Sequence, residues 1–269
     1  MINRLTKHDN ITNGSFSVVK KDFNGSYDTH WHEFYEIELI ISGKGTYTID
    51  GITYDVKPGM LFFMTPVNFH TLDVKNVKMY NIMFTENICD FKYLSRVTSD
   101  VFPTALQIKK EDMVFFETLL GEIAKSSDDT NYASLLLNSI IAKICKVTEK
   151  TKITDLTPIS VAELYILNHF RDNISLNEVA KYIGYSSPYF SFYFKQKTGI
   201  TFKEHINNLR FEYACNLLRC SELTVMQICI ESGFLEYTNF IRRFKQRYGM
   251  PPLKYRMNSK TNMNNSYYG

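Results

Sequence analysis

The chain has 269 residues, 44% of them hydrophobic and 22% charged, which suits one large or two ordinary folded domains and excludes a disordered chain. No apolar run approaches the roughly 18 residues needed to cross a bilayer, and the opening MINRLTKHDN lacks the apolar core of a signal peptide, so a cytoplasmic protein without a membrane partner is expected. The net charge of +3 hides an asymmetry: residues 158–269 hold 14 Lys and Arg against 8 Asp and Glu, whereas residues 1–157 hold 17 against 20. A basic C-terminal half is the footprint of a domain that neutralises phosphates. The five cysteines, at 89, 145, 215, 220 and 229, contain no C-x-x-C pair, so neither a zinc ribbon nor a disulfide framework is implied.

From about 11 to 100 the pattern is strand-like. EIELIISG, GTYTIDG and MLFFMTP are β-rich runs broken by Gly43-Lys44-Gly45, Asp50-Gly51 and Pro58-Gly59, a spacing that suggests a barrel or sandwich. From about 109 to 149 the period lengthens. Met113, Phe116, Leu120 and Ile123, then Leu137, Ile140, Ile141 and Ile144, recur at three to four residues and predict two amphipathic helices joined near 126–131. These belong to a domain over 1–149, as a dimer interface or as a cover for the sheet. KTKITDLTP at 150–158 reads as a linker, 159–257 as helical, and 258–269 as a flexible tail.

Within the helical part the chain repeats itself. SLNEVAKYIGYSSPYFSFYFKQKTG (175–199) and TVMQICIESGFLEYTNFIRRFKQRYG (224–249) align Gly184 with Gly233, Phe190 with Phe240, Phe194-Lys195-Gln196 with Phe244-Lys245-Gln246, and Gly199 with Gly249. Each copy reads as a helix-turn-helix. Ser175 with Glu178 forms a capping box, and Ser187-Pro188 opens the second helix of the first copy. Phe190, Tyr193 and Phe194 turn inward, which leaves Tyr189, Ser191, Phe192 and Lys195 outward; in the second copy Phe240 and Phe244 turn inward and leave Thr238, Asn239, Ile241, Arg242 and Lys245 outward. Arg242 suits guanine and Asn239 adenine, while Lys195, Lys245, Arg243 and Arg247 suit phosphates. FKEHINNLRFEYACNLLRC (202–220) reads as one long helix with a single buried stripe, a stiff spacer that sets both units on successive major-groove segments of double-stranded DNA.

These landmarks, with the closing GFLEYTNFIRRFKQRYGMPPLKYR, resemble the DNA-binding domain of the AraC/XylS family of bacterial transcription regulators. By that resemblance the base-reading positions are Pro188, Ser191 and Phe192 in the first unit and Thr238, Asn239, Ile241 and Arg242 in the second. Position 192 departs from the arginine frequent in the family. A phenylalanine there implies contact with a thymine methyl, a contribution to shape alone, or packing against its neighbours.

The N-terminal half is similar to the cupin-like sensor barrel of that family. His30-Trp31-His32, Glu36 and Gly43 match a first cupin motif, and Pro58-Gly59, Pro66 and His70 a second. The implied fold is α+β in two domains: a cupin-like β-barrel with two following helices, then an all-α domain with two helix-turn-helix units. The resemblance implies a small polar, sugar-like effector held by His30, His32, Glu36, Tyr47 and His70, with Trp31 or Phe34 as an aromatic wall. It implies no cofactor, a homodimer, and RNA polymerase as a partner. His30, His32, Glu36 and His70 also have the donor types of a Zn²⁺, Fe²⁺ or Mn²⁺ site, the alternative to a metal-free pocket. Glu38 is set aside as part of a solvated face. No G-x-S-x-G, Walker or dinucleotide motif appears, so an enzyme is not expected. The competing reading, a cupin isomerase or dioxygenase with an accessory helical domain, leaves the second helix-turn-helix without a purpose.

Overall fold

In the computed structural model, which describes residues 3–5, 10–11, 15–98, 102–126, 128–148 and 157–266, the strand-like third pairs into a seven-stranded sheet. Its strands are β1 (Asn3–Leu5), β2 (Phe16–His32), β3 (Tyr35–Ile49), β4 (Ile52–Val56), β5 (Met60–Met64), β6 (His70–Phe84) and β7 (Ala105–Gln107). The order is β1-β2-β6-β3-β5-β7, with β4 on β3; β1 runs parallel to β2 and every other pair is antiparallel. Bulges between Ile40 and Lys44 shift the side-chain alternation of β3, so Tyr47 and Ile49 share the inner face with Ile40. Phe62, Met64, Leu72, Val74 and Met79 join them in one core. The opposite face of β3 carries Tyr35, Ile37 and Leu39, all buried, and a helix packs on the neighbouring β2 and β6.

The α-helices of this part are α1 (Phe91–Val97), α2 (Lys110–Lys125) and α3 (Thr130–Val147). The last two follow the expected periodicity, burying Phe116, Leu120 and Ile123, then Leu137, Ile140, Ile141 and Ile144. Helix α1 lies where only strands were expected. The Asp90 carboxylate caps its first turn at Lys92 N, and Leu94 and Val97 bury one face.

The second unit begins at Pro158, and the described residues from Asn3 to Thr157 form the first. Of the expected linker, 150–156 lie outside the described residues, and Pro158 already opens a helix. The second unit holds α4 (Pro158–His169), α5 (Leu176–Tyr182), α6 (Ser187–Thr198), α7 (Phe202–Cys220), α8 (Val225–Glu231), α9 (Tyr237–Tyr248) and α10 (Pro252–Ser266). Helix α10 runs past the expected end at 257, since no proline or glycine follows Pro252 before Gly269.

The duplication extends to the backbone. Capping boxes start α5 (Ser175 with Glu178) and α8 (Thr224 with Gln227). At each turn the chain closes through a glycine at positive φ, +77° at Gly184 and +79° at Gly233, followed by the same wide hydrogen bond, Tyr185 N to Ala180 O or Phe234 N to Cys229 O. At Gly233 a side chain would also strike the Arg171 carbonyl at 2.6 Å.

Helix α7 departs from the single-stripe expectation. It buries Phe202, Ile206, Phe211, Tyr213, Ala214, Cys215, Leu217 and Leu218, which together occupy more than one face. At its start Phe202 meets Phe190 and Phe194 of α6; further along, Phe211 meets Phe234, Phe240 and Phe244. Arg210 and Arg256 brace the ends of neighbouring helices, donating to the carbonyls of Phe170 and Asp172, and of Leu218 and Leu223. Truncating Phe211 to alanine is expected to cost about 3–5 kcal/mol, lowering the far-UV circular-dichroism transition of the helical unit. Trp31, the sole tryptophan, reports the sheet unit, and its fluorescence transition should stay in place; an unshifted helical transition would contradict this packing.

Candidate functional site

On the helical unit, the second helix of each repeat presents a solvent face. Pro188, Tyr189, Ser191, Phe192 and Lys195 are exposed on α6. Phe192 stands 67% exposed, which rules out packing against its neighbours as its role within the chain. Tyr193, expected inward, is only half-buried and rests against Tyr185 and Tyr189.

On α9, Thr238, Arg242 and Lys245 are exposed, while Asn239 and Ile241 are half-buried on the flank. Arg242 Nη2 donates to Asn239 Oδ1 at 3.1 Å, so the two side chains expected to read bases are already oriented together. Arg243 and Arg247 also reach α7. Arg243 donates to Asn207 Oδ1 at 3.3 Å and lies over the Phe211 ring, and Arg247 donates to Asn208 Oδ1 at 2.5 Å. Arg243, one position beyond Arg242, is half-buried against α7, whereas Arg247 reaches Asn208 from an exposed position.

The sheet unit encloses a cavity of about 260 Å³ between β2, β3 and β6. Of the residues expected to hold an effector, His30, Glu36 and Tyr47 line it, whereas His32 and His70 stand directly behind. Trp31 and Phe34 do not. Alternation along β2 sends Trp31 away from its histidine neighbours to stack on Phe69, and Phe34 lies under the His32 ring. The aromatic walls are instead Phe23 and Tyr27, and the polar lining gains Lys21, Glu38 and Asn81. Nor do His30, His32 and Glu36 share a strand: the histidines end β2 and Glu36 begins β3, on the two sides of β6.

Glu38, set aside as solvated, is buried and faces the same cavity as Glu36. One Asn81 amide nitrogen donates to both acids, at 2.7 Å to Glu36 Oε1 and 2.9 Å to Glu38 Oε1. Burial would raise the Glu36 carboxyl, but the His32 hydrogen bond and the nearby His32, His70 and His30 outweigh it and hold the group well below the carboxylate range. Burial, and then the Glu36 charge, pushes Glu38 up to about 8. At neutral pH one acid is therefore charged and its neighbour holds a proton. Glu38 Oε2, Asn81 Oδ1 and His70 Nε2 are buried without hydrogen-bond partners among the described residues. That is the condition of a site shaped for something it binds.

Two family models match: an AraC-like ligand-binding domain over residues 15–83 and a helix-turn-helix domain over 179–258. The HTH-type transcriptional activator RhaS of Escherichia coli O81 (strain ED1a) is 22% identical over 254 residues, covering 89% of this chain and 91% of that protein. The chain belongs to the AraC/XylS family of transcription regulators. Among solved structures, ToxT from Vibrio cholerae O395 aligns with 16% identity over 90% of this chain and 97% of that one, at a TM-score of 0.43. The C-terminal domain of AraT, a response regulator from Geobacillus stearothermophilus, is 31% identical over 38% of this chain and 86% of that chain, at a TM-score of 0.37.

As an AraC-type regulator the chain binds DNA through its helix-turn-helix domain, and its ligand-binding domain holds the cavity. Asn81 keeps two acids together in that domain. Asn81→Ala leaves both carboxyls without their shared donor and is expected to cost about 1–3 kcal/mol, read as a lower midpoint of the Trp31 fluorescence transition. An unchanged midpoint would mean that the bridge does not hold the acids.

Proposed function

We propose that this regulator reads two successive major-groove segments with unequal chemistry. The observation that carries this is the contrast between the exposed faces of α6 and α9. The first offers Pro188, Tyr189, Ser191 and Phe192 with one cation, Lys195; the second offers Thr238, Asn239, Ile241 and Arg242 with Lys245. Arg242 reads guanine, Asn239 adenine, and Phe192 meets a thymine methyl or senses groove shape. Lys195 and Lys245 hold phosphates.

The effector we assign is a small, polar, polyol-like molecule in the cavity between β2, β3 and β6. Glu38 Oε2 and Asn81 Oδ1, a donor and an acceptor without partners, match the alternating groups of a hydroxylated ligand, and Phe23 and Tyr27 supply apolar walls. Its binding shifts the balance between arrangements of the chain that differ in DNA affinity. The ligand-binding domain runs from 1 to 149, and the DNA-binding domain begins at Pro158 and includes α10. The working assembly is a cytoplasmic homodimer contacting RNA polymerase; Val114 and Leu135, 72% and 68% exposed on α2 and α3, offer it an apolar contact.

The test is competition binding of the full chain to the DNA upstream of its own gene, at stated salt. Arg242→Ala should relax preference at one base pair and cost about 1–3 kcal/mol there. Uniform weakening across sequences would make Arg242 a phosphate contact, and no preference in the wild-type chain over competitor DNA would overturn the reading.

A further inference from the structure

We propose, on the basis of the two-segment reading above, that the first reading helix recognises a C5-methyl group in the major groove through the exposed ring of Phe192, whether thymine or 5-methylcytosine carries it. Cytosine methylation at that base pair then becomes a determinant of DNA binding.

The packing of α6 fixes where this ring stands. Successive residues of a helix turn by about 100°, so Phe192 lies about 160° round the axis from both Phe190 and Phe194. Those two are fully buried and pack on Phe202 of α7, which sets the rotation of α6 about its own axis. Phe192 is thereby held at the crest of the helix, 67% exposed. Tyr185, Tyr189 and Tyr193 leave it open, since they pack on one another. The repeat puts Arg242 at the same point of α9, between Phe240 and Phe244, which pack on Phe211. One reading position therefore holds a guanidinium in the second copy and a hydrocarbon ring in the first.

A phenylalanine ring has no strong hydrogen-bond donor or acceptor. Set against guanine, adenine or unmodified cytosine, it would cover polar edge atoms and displace their water without replacing it. The apolar group that the four ordinary bases display in the major groove is the C5-methyl of thymine. Side chains that unstack a base step, and cations that sense groove width, act from the minor groove. A reading helix enters the major groove, so an apolar crest on it meets the methyl.

Cytosine methylated at C5 carries the same group at the same ring position. The two bases differ at C4, where thymine has an acceptor oxygen and cytosine a donor amino group. Telling them apart takes a polar side chain that only donates or only accepts, and the crest of α6 has none. Ser191, exposed beside Phe192, has a hydroxyl that does both. Lys195, the cation of this face, holds a phosphate.

The test is binding of the full chain to its upstream DNA, substituted one position at a time on both strands across the segment under α6. Replacing thymine by uracil removes the methyl and leaves every hydrogen-bonding edge atom in place. At one position the wild-type chain should lose about fourfold in affinity, the contribution of one buried methyl group. With a cytosine–guanine pair at that position, methylating cytosine C5 should raise affinity by about the same factor. Phe192→Ala removes a mostly exposed ring, so the unit should keep its fold and its guanine dependence under α9 while both methyl effects vanish. Specific binding with a uracil scan that is flat across the segment overturns the proposal and leaves the two-segment reading standing. A uracil effect that survives Phe192→Ala overturns it too, because another residue would then read the methyl. A uracil effect without a methylcytosine effect overturns recognition of the methyl on either base. No preference of the wild-type chain over competitor DNA would overturn the two-segment reading and this proposal with it.

Discussion

The packing of aromatic side chains around helix α7 fixes what the DNA-binding unit presents. Phe202 seats Phe190 and Phe194 of the first reading helix, and Phe211 seats Phe240 and Phe244 of the second. Nine residues separate these anchors, about 13 Å along a helix axis. Both reading helices are thus clamped to one rigid rod, and neither reorients without breaking an aromatic cluster. Arg243 and Arg247 add hydrogen bonds from α9 to Asn207 and Asn208 of α7. The exposed residues of α9 include Thr238, Arg242, Lys245 and Arg247, with Asn239 beside them.

The ligand-binding domain rests on a different constraint, the burial of charge. Glu36 is only 3% exposed on a strand otherwise packed with Tyr35, Ile37, Leu39 and Ile40. A charged carboxyl there survives because Asn81 and His32 hydrogen-bond it and His70 stands near. Glu38 meets the same problem by keeping its proton. A local sequence that breaks the rule for a buried strand, and is compensated from two other strands, β2 and β6, marks the candidate site of the domain.

Much of this was legible in the sequence, where the signal is local. Ser175, Thr224, Gly184, Gly233 and the paired phenylalanines dictate caps, turns and inward faces within a few residues, and the structure follows them. Alternation carries two further consequences: if His30 and His32 face inward, Trp31 faces away, and Glu38 shares the side of Glu36. Tertiary partners were out of reach. Asn81 enters the site from β6, Lys21, Phe23 and Tyr27 from β2, whose glycine and bulges between Phe23 and His30 obscure any regular period. The contacts of Arg243 with Asn207 and Phe211 on α7 belong to the same class.

If one rigid unit reads two DNA segments with unequal chemistry, the two segments will differ in their base dependence. Hydroxyl-radical footprinting of the full chain on its upstream DNA, followed by single-base-pair substitution across the protected region, tests it most directly. Two protected segments are expected on one face of the duplex, about 10 base pairs apart per reading unit, with the sharp loss on substitution of a guanine confined to the segment under α9. A single protected segment, or equal guanine dependence in both, would contradict it.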